Sequence, residues 1–72
     1  MRLSEFRIAL EDEFGAYGPI IASDLSLTEM GGLTAEQAIA SGRLPRDIWL
    51  ALCRASDVPE ERWYGVGRIR EP

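Results

Sequence analysis

The sequence predicts an all-α fold, a compact bundle of about four short helices closed by a C-terminal turn. Three observations predict it. Apolar residues recur at helical spacing in separate segments, capping residues and glycines mark the starts and stops, and no alternating run is long enough for a convincing strand. With 72 residues and 46% hydrophobic content, the chain has material for one small core and not for two. A single domain over residues 1–64 is expected. Residues 65–72 hold two glycines and no periodicity, and read as a flexible tail.

In the first segment Ser4 is the candidate N-cap, with Glu5 in the first turn. Leu3, Phe6, Leu10 and Phe14 form one helical stripe, which Gly15 ends. Ile8 falls on the opposite side of that helix. Glu11, Asp12 and Glu13 are consecutive, so they diverge around the helix and read as a solvated acidic face. Gly18-Pro19 announces a second helix, closed by Gly31-Gly32. It is apolar on two sides, Ile21 and Leu25 on one, Ile20, Leu27 and Met30 on the other. Such a helix packs centrally or leaves one face for a partner. Asp24 beside these positions is expected to be exposed or arginine-paired, because no second catalytic group can be named near it.

Thr34 and Gln37 form a capping box for a short third helix, Ala35 to Ser41, and Gly42 supplies a left-handed stop. Pro45 suits the first position of a fourth helix running to about Ser56, before Asp57-Val58-Pro59 breaks it. Residues 59–63 can form one more turn that lays Trp63 on the core. Glu60 and Glu61 at its start favour the helix dipole. Trp49 and Trp63 are both expected in the core.

Composition narrows function. The chain has no histidine and one cysteine, Cys53, so Ser-His or Cys-His pairs and multi-thiolate metal sites within one chain are excluded. A non-enzymatic protein with no metal and no cofactor is expected. Cys53 lies in an apolar helix and reads as a buried small hydrophobe. Net charge is −4, and all eight basic residues are arginine, which points to a GC-rich genome ahead of selection for bidentate recognition. Residues 1–36 hold two arginines and seven acids, net −5; residues 37–72 hold six and five, net +1. That balance disfavours binding of nucleic acid by charge alone. Acids follow Arg2 at once and no long apolar run appears, so neither signal peptide nor membrane span is expected; the reading is cytoplasmic.

The fourth helix carries the strongest functional pattern. Ile48, Trp49, Leu52 and Ala55 cluster on one side, with Cys53 at the edge. Leu50 projects away from them, with Arg46 and Arg54 four residues to either side. A leucine between two arginines suits an apolar anchor on a protein partner with acidic groups. Arg46, Leu50, Arg54 and the off-stripe Ile8 are therefore the candidate partner-binding residues of a monomer or weak dimer. The alternative is a helix-turn-helix built from the third and fourth helices, with Arg43 and Arg46 on phosphate or guanine. Ala38, Gly42 and Ile48 fit its spacing; polar Gln37 and Ser41 and the acidic net charge do not.

Several segments together resemble a small actinobacterial family of unknown function. They are MRLSEF, Phe14-Gly15, residues 31–38, Pro45-Arg46-Asp47-Ile48-Trp49, Ala51-Leu52-Cys53, Asp57-Val58-Pro59 and Arg62-Trp63. The likeness spans Met1 to about Trp63, and P-R-x-[IV]-W-x-A-L-C is its most specific part. The resemblance implies a helical protein without assigned activity, often encoded near the recombinase and its regulator, an association pointing toward DNA repair. Many members carry arginine where Leu33 and Leu50 stand here, which weakens an arginine-based nucleic-acid reading for this chain.

Overall fold

The computed structural model describes residues 1–63. Four α-helices, α1 (Leu3–Phe14), α2 (Gly18–Asp24), α3 (Ala35–Ala40) and α4 (Pro45–Ala55), enclose one core. Single 3-10 turns occupy Gly15–Tyr17, Thr28–Met30 and Glu60–Arg62. The expected flexible tail, residues 65–72, lies outside the described residues.

The all-α expectation needs correction. Between α2 and α3 the chain forms an antiparallel pair, β1 (Ser26–Leu27) and β2 (Leu33–Thr34), with Ser26 opposite Thr34 and Leu27 opposite Leu33. The second helix therefore stops at Asp24, seven residues before Gly31. Leu25 is already extended, and the Gly32 N–H donates to the Leu27 carbonyl at 2.9 Å. Gly31 and Gly32 hold φ of 70° and 89°, so the glycine pair turns a hairpin where a helix stop was expected. The hairpin buries Leu27, and the turn behind it buries Met30. The same two apolar residues thus reach the core without forming a helical face.

Elsewhere local chemistry sets the boundaries as anticipated. Gly15 closes α1 at φ 58°, and Gly42 takes φ 90° after α3. Thr34 Oγ1 accepts from the Gln37 N–H at 3.2 Å, while Gln37 Oε1 accepts from the Thr34 N–H at 3.0 Å. Pro45 opens α4. At α1 the N-cap is Arg2 and not Ser4: the helix starts at Leu3, and the Glu5 carboxylate accepts from the Arg2 N–H at 2.6 Å.

Trp49 is the hub of the core. Its ring meets Phe6 at 5.9 Å and Phe14 at 6.3 Å, both edge to face, which fixes α1 against α4. Its indole N–H donates to the Trp63 carbonyl, and the Trp63 indole N–H donates to the Val58 carbonyl at 2.8 Å. The last turn is thereby latched over α4 with Trp63 half-buried. Two stripe residues depart from expectation: Leu3 and Ala55 are exposed, each at a helix end beyond the reach of its neighbours.

Candidate functional site

Three of the six described arginines, Arg7, Arg54 and Arg62, tie one element of the fold to another. Arg7 on α1 forks onto Glu36 of α3 at 2.5 and 3.0 Å. Arg54 on α4 forks onto Glu29 of the Thr28–Met30 turn at 2.5 and 2.8 Å, with its guanidinium 5.6 Å from the Trp63 ring centre. Arg62 in the last turn grips Glu13 of α1. Hydrogen bonding to these arginines holds the Glu29 and Glu36 carboxyls below the usual range and raises all three guanidiniums. Bidentate geometry explains why arginine serves here and lysine would not.

Arg43 and Arg46 are different. Both are exposed at the connection between α3 and α4. Arg43 Nη1 lies 3.4 Å from the Met30 sulfur, a weak acceptor, and Arg46 Nε stands 4.0 Å from the carboxylate of adjacent Asp47. Between them Leu44 is 62% exposed. It occupies the N-cap of α4 in an extended conformation, so its side chain leaves the chain before the buried stripe begins. The result is an exposed apolar side chain at the head of α4, flanked in the chain by Arg43 and Arg46.

Arg46, Leu50 and Arg54 were expected on one surface, and whether Ile8 shares it was open from the sequence. Leu50 is half-buried, not projecting free, and Arg54 is occupied by Glu29. Ile8 is 47% exposed but lies about 160° around α1 from Phe6, the residue that meets Trp49 of α4. It therefore points away from α4, and Ile8 and Leu50 belong to different sides. Arg46 alone remains where expected, joined by Arg43 and by Leu44. Sequence patterning missed Leu44, although a signal existed: leucine is a poor N-cap, so its place before Pro45 calls for another reason.

Asp24 is exposed, with Ser23 Oγ donating to it at 3.4 Å. Among the described residues no group of three or more His, Cys, Asp and Glu could hold a metal ion, and no helix is long and apolar enough to cross a membrane. Cys53 is fully buried, and its thiol is pushed up to about 12 by desolvation first and the Glu13 charge second. A concavity of about 280 Å³ opens beside α1, lined by Arg7, Glu11, Gly15, Ala16 and Pro19.

Fold and surface together define a small, mostly helical domain with a β-hairpin insert, three of whose described arginines tie its own elements together. The chain belongs to the family described as protein of unknown function (DUF3046), whose model matches residues 1–61. No curated protein and no solved structure matches it.

Proposed function

We propose that this chain is a non-enzymatic protein-interaction module that docks an acidic partner through the α3–α4 connection, with Leu44 as anchor and Arg43 and Arg46 beside it. The observation that carries this is the exposed Leu44, flanked in the chain by Arg43 and Arg46, for neither of which an ion pair with another element is recorded among the described residues. An apolar anchor rimmed by cations fits a partner patch of the opposite charge. The module works in the cytoplasm of an actinobacterium, as a monomer or weak dimer.

Leu44→Ala is the test, because Leu44 is exposed and its truncation spares the core. Photocrosslinking from position 44 in the native cell should trap one protein, and the purified pair should bind about 10-fold or more weakly with Leu44→Ala. Affinity unchanged by Leu44→Ala together with an unchanged melting curve overturns the proposal. Leu50→Asp is a poorer probe, since Leu50 is half-buried and a charge there perturbs the fold itself.

The α3–connection–α4 geometry favours one other reading, a helix-turn-helix-like protein associated with nucleic acid, in keeping with the gene neighbourhood that the resemblance implies. The four residues from Ser41 to Leu44 join the helices, with Arg43 and Arg46 exposed where a recognition helix begins. It predicts duplex binding that falls steeply with salt, is lost in Arg43→Ala and Arg46→Ala, and is indifferent to Leu44→Ala.

A further inference from the structure

The turn from α1 into α2 leaves a recess. Gly15 has no side chain, Ala16 offers only a methyl, and a Cβ at Gly15 would meet no atom within 4 Å. Arg7 and Glu11 wall the recess on the α1 side and Pro19 on the α2 side, enclosing about 280 Å³. Arg7 is already met by Glu36, whereas no ion pair is recorded for the exposed Glu11 among the described residues. The recess therefore has an apolar floor and one uncompensated negative charge. The α3–α4 connection is its inverse, an exposed leucine flanked in the chain by Arg43 and Arg46. We infer that the two surfaces bind each other between copies: Leu44 of one chain seats in the α1–α2 recess of a second copy, with its flanking arginines towards Glu11. The inference rests on the docking reading of the α3–α4 connection and names the acidic partner.

Three arguments select a second copy. The first is charge. The recess belongs to residues 1–36, which carry net −5, and Leu44 to residues 37–72, which carry net +1, so this contact joins opposite signs where recess against recess would repel. The second is that the chain does not satisfy itself: Leu44 is exposed in the same molecule whose recess stands open. The third is the apolar surface around the recess. Tyr17 and Ile20, next in the chain to Ala16 and Pro19, are both exposed and give an incoming leucine more to pack on. One connection in one recess falls below the roughly 1,200 Å² of a standard interface, so the association is weak. Because donor and acceptor surfaces differ, the contact runs head to tail, and each copy offers one of each.

Sedimentation equilibrium of the full chain, from about 10 μM to about 1 mM, tests this. The average mass should rise above 8.0 kDa with concentration. Leu44→Asp removes the anchor and leaves a favourable N-cap on α4, so the fold should hold. Glu11→Arg reverses the charge of the recess, and Ala16→Arg fills it; both positions are exposed. Each variant alone should associate about 10-fold or more weakly than the wild type, with an unchanged melting curve. An equimolar mixture of Leu44→Asp and Glu11→Arg should recover a complex that stops at two chains, because one supplies the intact recess and the other the intact leucine. Mixing rescues no defect of folding, so recovery is specific to the contact. A wild type that stays at 8.0 kDa throughout overturns the inference, as do association indifferent to Leu44→Asp and to both recess variants, and a mixture that recovers nothing. Should the chain not self-associate while Leu44→Ala still weakens binding to a different protein, this inference falls and the docking reading stands. If no protein binding of either kind depends on Leu44, both fall.

Discussion

Cys53 offers a probe of α4 packing that requires no alteration of the chain. The thiol is fully buried between α4 and the core, with its ionisation pushed from the ordinary 9.0 to about 12. At pH 7 an ordinary thiol of this kind is about 1% thiolate, and a group titrating near 12 is about a thousand-fold less so. Alkylation by iodoacetamide, followed by mass spectrometry, should therefore run about 10³-fold slower on the folded protein than in denaturant. A native rate within about 10-fold of the denatured one refutes the burial argument. The same shift has a consequence for stability. Below pH 9.0 the thiol is protonated in both states and contributes no pH dependence. As pH rises from 9.0 towards 12 the unfolded thiol ionises first, so the folded state holds the extra proton and stability falls, by up to about 1.4 kcal/mol per pH unit. Denaturant titrations between pH 8 and 11 should show that decline in the wild type and a shallower one in Cys53→Ala.

Gly18 opens α2 against α1, and a Cβ there would sit 3.1 Å from Leu10 Cγ and 3.2 Å from the Leu10 carbonyl oxygen. Gly18→Ala should cost about 1–3 kcal/mol in chemical denaturation, since backbone cannot yield as a side chain can; a neutral result would mean that α1 and α2 part easily. The Arg7 and Glu36 side chains are 45% and 39% exposed, so Arg7→Ala should cost only about 0.5 kcal/mol. Because the folded Glu36 carboxyl lies below its ordinary 4.5, this contribution is present above pH 4.5 and is lost as pH falls through the lower folded value. An acid-unfolding midpoint unmoved by Arg7→Ala would show that the pair contributes nothing.

The parts of the fold written in local chemistry could be read from the sequence. The Thr34–Gln37 box, Pro45 at the head of α4 and Gly15 at the end of α1 each act within a few residues, and each stands where their chemistry puts it. The hairpin could not be read that way. Gly31-Gly32 stops a helix or turns a ribbon equally well, and burial of Leu27 and Met30 decided the matter through contacts with α4. The arginines failed for the same reason on a larger scale. Glu29, Glu36 and Glu13 lie 25, 29 and 49 residues from their partners, so no helical-wheel pattern could separate Arg54 from Arg46. Leu44 was hidden between two periodic segments, where hydrophobic spacing has no meaning.

The grip of Arg62 on Glu13, and of the Trp63 carbonyl on Trp49, joins the two ends of the described chain. On the ribosome, synthesis at about 5–20 residues per second separates Glu13 from Arg62 by roughly 2–10 s. For most of that interval α4 is not yet made to pack on Phe6, and at its close the turn over Trp49 is still missing. Closure over Trp49 and the Glu13 tie therefore follow synthesis of the Glu60–Arg62 turn, well after α1 has left the peptidyl-transferase centre.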